Sequence, residues 1–199
     1  FLSFLFRSLN AVVAPALRSE LGLDDAAIGV VTSMYLAAFT LAQLPAGVAL
    51  DRFGPRRVAP VMLLATALGA VIFALGQDVV TLSIGRALIG LGLSVALMCG
   101  FKANVLYWPI GRLPLVNAVM MTFGGLGAAM ATRPVQWLLV DFDWRQVFLG
   151  LGAITVAVAL YQLLAAPRYE RGGKGRLADE LAGLMGVLRT PLFWKAGLA

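Results

Sequence analysis

Histidine is absent from this 199-residue sequence, and cysteine occurs once, as Cys99 inside an apolar run. Without imidazole, and with a lone thiol, the chain has no His-dependent acid–base chemistry, no disulfide and no Cys/His metal cluster, so no metal or other cofactor is expected. Charge is scarce as well: Asp, Glu, Lys and Arg make up 13% of residues against 60% hydrophobic. A soluble surface needs about a quarter of its residues charged, and the mean hydropathy of +0.88 places the chain in a bilayer. The net charge of +6 would suit nucleic acid only if the basic residues formed one patch. They fall at helix ends instead, which argues against a nucleic-acid partner. No Asp or Glu lies inside any apolar stretch, and neither a carboxylate pair nor a nucleophile with its base is present, so an enzyme is not expected.

A bilayer crossing takes about 20 apolar residues. The apolar runs predict helices at 1–18, 26–50, 58–76, 79–106, 114–139 and 146–166, with a seventh beginning near Pro191. The opening "FLSFLFRSLN" is read as a truncated first span of a fragment rather than a signal-peptide core, because Arg7 and Asn10 interrupt it and no small-residue cleavage site follows. The turns alternate in sign. One set carries Glu20, Asp24, Asp25, Asp78, Asp141 and Asp143; the other carries Arg52, Arg56, Arg57, Arg112 and, later, Arg168, Arg171, Lys174, Arg176 and Arg189. The positive-inside bias then puts the basic turns in the cytoplasm of a multi-pass protein of the plasma membrane, in a bacterium the inner membrane. Residues 1–166 form the transmembrane bundle, 167–190 a cytoplasmic linker and 191–199 the start of the next span. In the linker, "PRYERGGKGR" reads as flexible chain. Leu177, Leu181, Leu184 and Leu188 then recur at helical spacing, as an interfacial amphipathic helix would have them, with a buried soluble helix as the alternative.

The densest charge cluster, "GVALDRFGPRR", joins the second and third predicted helices. Its pattern Gly47-x-x-x-Asp51-Arg52-x-Gly54-x-Arg56-Arg57 resembles the signature loop of the major facilitator superfamily. Arg86-x-x-x-Gly90-x-Gly92 in the fourth helix, the glycine-rich fifth helix "GGLGAAMATRP" and "WRQVF" opening the sixth agree with that family in order and spacing. The resemblance implies an all-α bundle of six spans made of two inverted three-helix repeats, the N-terminal half of an alternating-access transporter whose partner is a C-terminal six-helix half. It also implies a latch: Asp51, badly placed for its own helix dipole, would contact the opposite half, with Arg52, Arg56 and Arg57 completing the network. Simple anchoring of the turn by the arginines is the alternative.

Three arginines lie within spans. Arg7 is about 16 Å from the outer end of the first helix and Arg86 about 11 Å inside the fourth, at 1.5 Å per residue; Arg133 lies in the fifth. Each costs roughly 2.5–3.5 kcal/mol at such depth unless it meets water or a partner. Asn10 follows Arg7 by three residues and Gly90 follows Arg86 by four, so each arginine shares its face with a polar or small neighbour. Tyr35, Phe39 and Gln43 share a stripe of the second helix. Arg7, Asn10, Arg86, Arg133, Tyr35 and Gln43 are thus the candidate substrate-binding residues, although pairing with backbone carbonyls, or snorkelling for Arg133 and Lys102, also fits. "FLFRSLNAVVAPAL", with Arg7 eight residues before Pro15, is similar to the first helix of the organophosphate and organic-anion porters. The expected cargo is a small organic or phosphorylated anion, and the absence of intramembrane carboxylates argues against proton coupling through this half. The alternative is a module that has lost transport and acts as a sensor or assembly anchor.

Overall fold

The computed structural model describes residues 1–165, and those are all helices and turns. The first pass is α1 (Leu2–Leu21), followed by α2 (Asp25–Phe53) and α3 (Pro55–Leu75). The fourth pass is split into α4 (Val79–Leu93) and α5 (Ala96–Tyr107), the fifth into α6 (Leu113–Met130) and α7 (Arg133–Asp141), and α8 (Trp144–Ala165) is the sixth. Five passes, all but α1, are long and apolar enough to cross a membrane. In α1 the charges Arg7, Arg18 and Glu20 dilute the apolar content. The linker, its leucine stripe and the seventh span lie outside the described residues.

Local chemistry explains the ends. Gly22 closes α1 in the left-handed region at φ 63°, a backbone conformation that glycine adopts without strain. Asp24 caps α2 by accepting from the Ala27 N–H at 2.8 Å, and Asp78 caps α4 from Thr81 at 2.8 Å. The α2 terminus differs from expectation. The helix runs on through Asp51 and Arg52 and stops at Gly54, φ 75°, so the cluster begins in the last helical turn and only Gly54 is non-helical before Pro55 restarts the chain as α3. The two splits were not expected either. In the fifth pass, Pro134 has no N–H for the Met130 carbonyl and its ring crowds that turn, which breaks the helix at Ala131–Thr132. In the fourth, Ser94 turns its N–H and its hydroxyl to the Leu91 carbonyl, three residues back, and the helix restarts at Ala96.

The packing follows the expected inverted repeat only in part. The most extensive contacts pair α3 with α4 (third and fourth passes), α3 with α8 (third and sixth) and α2 with α4 (second and fourth), ahead of α1 with α6 (first and fifth). Exchanging the two triplets maps α2–α4 onto α1–α6 and leaves α3–α8 unchanged, but the large α3–α4 contact has only a slight counterpart between α1 and α8. Glycine permits the closeness: a Cβ on Gly90 would collide with the Tyr35 backbone, and one on Gly85 with that of Phe73. The resulting core gathers Phe6, Leu9, Phe73, Ile89, Trp144 and Phe148.

Candidate functional site

α1, α2 and α4 bring Arg7, Asn10, Thr32, Tyr35, Leu36 and Arg86 around one pocket of about 160 Å³. Arg86 is the unusual member, a guanidinium only 1% exposed. It donates to the Phe6 carbonyl at 3.2 Å and lies over the rings of Phe73 (4.6 Å) and Phe148 (5.3 Å). Ring faces are negative, so both contacts offset part of its desolvation. Its Nε and Nη2 have no hydrogen-bond partner, and it has no carboxylate partner among the described residues. Arg7 is exposed at the same pocket.

The polar side is built by relay. The Thr32 hydroxyl donates to the Ile28 carbonyl at 2.8 Å, so its oxygen can only accept from Asn10. That fixes the amide: Asn10 Nδ2 donates to Thr32 Oγ1, and Asn10 Oδ1 is left without a donor. The Tyr35 hydroxyl is likewise buried and unpartnered, its ring stacked on Phe39 at 6.0 Å. Four of the six candidates read from the sequence therefore meet here. Gln43 lies about 12 Å farther along α2, and Arg133 is exposed on α7; neither lines this pocket. Thr32 was missed, although it stands three residues before Tyr35 on the same helical stripe.

The loop cluster lies at the basic end. Lys102 of α5 reaches Asp51 Oδ1 at 2.6 Å and the Leu50 carbonyl at 3.0 Å. Asp51 thus has a partner inside this half, where the sequence reading looked for one only in the opposite half, and Lys102 is engaged rather than free to snorkel. Arg56 touches the Leu163 carbonyl at 3.4 Å, and Arg52 lies 5.4 Å from the Phe53 ring. A Cβ on Gly47 would meet nothing within 4 Å, so the close approach expected there is not made within the described residues.

At the acidic end, Arg145 donates to Glu20 at 2.8 Å and to the Ala74 and Gly76 carbonyls at 2.8 Å each, with its guanidinium 4.3 Å from the Trp144 ring. "WRQVF" is thereby a clamp joining α1, α3 and α8. The hydrogen bond from the Trp144 indole, then those from Arg145, hold the Glu20 carboxyl below its usual range.

This arrangement of passes, loop cluster and intramembrane arginine coincides with one family model, that of the Major Facilitator Superfamily, which matches residues 1–199. The chain belongs to the Major Facilitator Superfamily. It is therefore part of an integral, multi-pass membrane transporter family. It is 31% identical over 179 residues to an uncharacterized transporter, YybO, of Bacillus subtilis, covering 88% of this chain and 41% of that one. A probable sulfoacetate transporter, SauU, of Cupriavidus necator is 26% identical over 160 residues (80% and 37%), and a hexuronate transporter of Escherichia coli K12 25% over 163 (82% and 38%). The chain spans about two fifths of the length of these relatives.

Proposed function

We propose that the chain is the N-terminal half of a secondary transporter that carries a small organic anion by alternating access. The observation that carries this reading is Arg86: a buried cation with, among the described residues, two unused N–H groups and no acid beside it, on the same pocket as Arg7. An intramembrane charge left in that state marks a ligand path more often than a structural pair. Planar guanidinium groups suit carboxylate or phosphate oxygens. That relatives named for sulfoacetate and hexuronate are among its similar proteins agrees with an organic acid as cargo. Arg7 receives the anion, Arg86 supplies the fixed charge, and Asn10 and Tyr35 orient the rest of the molecule. Access would alternate as the two halves rock about this pocket, with the Asp51 cluster holding the basic end closed in one state.

Uptake by the intact transporter in proteoliposomes tests it. Matched acid and amide pairs are offered as solutes: only the acids should enter, and Arg7→Gln should abolish entry while Arg7→Lys retains part of it, because the charge survives but the planar fork does not. Arg86→Gln, which removes the buried charge, should cost about 2–5 kcal/mol of binding. Equal uptake of acids and amides would reject the anion reading, and no uptake of any solute would favour a module without transport.

A further inference from the structure

A second cleft, separate from the Arg86 pocket, opens at the basic end between α3, α5 and α8. Its volume is about 280 Å³. The fourth pass is split beside it: after Ser94–Val95 the chain continues as α5, which packs far less on α3 than α4 does, and Ala96 on the cleft wall is too small to fill the gap. The wall is apolar, with Leu63 and Val95 among its members, but the mouth is not. There stand Arg56, which donates a long hydrogen bond to the Leu163 carbonyl, and Gln162, whose Oε1 is buried without a partner among the described residues. Arg56 and Leu63 are seven residues apart on α3, so the apolar wall runs about 10 Å inward from the cation.

We infer that this cleft binds an anionic glycerophospholipid from the adjoining leaflet, with its phosphate on Arg56, a headgroup hydroxyl donating to Gln162 Oε1 and one acyl chain along the apolar wall. Each part of the cleft selects for that occupant. A soluble anion would leave the wall bare, and phosphatidylcholine would bring a second cation beside Arg56 and no headgroup hydroxyl for Gln162. Basic pockets between transmembrane helices are suited to acidic headgroups, at about one fivefold affinity step per arginine.

The test uses the intact transporter in nanodiscs doped with phosphatidylglycerol bearing a diazirine in one acyl chain, crosslinks being mapped by peptide mass spectrometry. Crosslinks should fall on residues 95–103, be competed by unlabelled phosphatidylglycerol, and resist phosphatidylcholine and inorganic phosphate. Arg56→Gln should lower them about fivefold, whereas Arg112→Gln, at the same end but off the cleft, should leave them unchanged. Ala103→Phe, which fills the cleft and keeps Arg56, should abolish them even if Arg56→Gln fails to fold. Equal crosslinking by a phosphatidylcholine probe, or crosslinks that survive both Arg56→Gln and Ala103→Phe, would overturn the inference. So would crosslinks that appear only after deletion of residues 177–188, because the chain's own leucine stripe would then be the occupant.

Discussion

Lys102 on α5 and Asp51 in the last turn of α2 form an ion pair, Nζ to Oδ1 2.6 Å, that ties the fourth pass to the signature cluster from within the same half. A carboxylate at a helix C-terminus opposes the local dipole. Lys102 offsets this twice, through the carboxylate and through the Leu50 carbonyl at 3.0 Å.

Because the Asp51 side chain is 67% exposed, the pair should add little to stability. A double-mutant cycle of Lys102→Met and Asp51→Asn, read by thermal unfolding of the intact protein, is expected to give a coupling of about 0.2–1 kcal/mol. If Asp51 also latches the opposite half, Lys102→Met should free it and shift spin-label distances across the basic end toward closure. An unchanged distance distribution would leave Lys102–Asp51 as a local tether.

Gly90 and Gly125 make a paired test of packing. Gly90→Ala pushes a methyl into the Tyr35 carbonyl, whereas Gly125→Ala meets nothing within 4 Å. The first should lower stability by about 1–3 kcal/mol and disturb the pocket through Tyr35. The second should be neutral or slightly stabilising, since alanine is the better helix former. Equal midpoints for the two variants would contradict the close α2–α4 contact.

Acid should loosen the Glu20 clamp. The folded-state pKa of Glu20 is lowered by Trp144 and Arg145, so its contribution is complete above the unfolded value, about 4.3, and is lost as pH falls through the folded value. Thermal midpoints measured from pH 7 downward should drop in that window, and Glu20→Gln should flatten the drop while lowering the neutral plateau. A variant with an undiminished acid limb would assign that limb to other groups, Asp78 first, which its hydrogen bonds from the Thr81 N–H and hydroxyl also hold low.

Orientation is checked by thiol labelling. In a Cys99→Ala background, single cysteines replacing Asp24, Asp78 or Asp143 should react with an impermeant reagent from outside the cell, and those replacing Arg56 or Arg112 should not. Reaction of both groups from one side would overturn the alternation of passes.

The sequence by itself determined the class and the order of the apolar helices, because apolar run length acts along the chain with no need of a neighbour. The caps at Asp24 and Asp78 depend only on residues three apart, yet the sequence reading makes both residues simply turn acids. Only the tertiary structure decided what each buried charge touches. The rings of Phe73 and Phe148 reach Arg86 from α3 and α8, Lys102 reaches Asp51 across 51 positions, and Gln43 and Arg133, polar at plausible depths, fall outside the pocket. Helical periodicity orders residues around one axis, whereas these contacts depend on the rotation and crossing of several. Here those were set by glycines such as Gly85 and Gly90, and by the breaks at Ser94–Val95 and before Pro134.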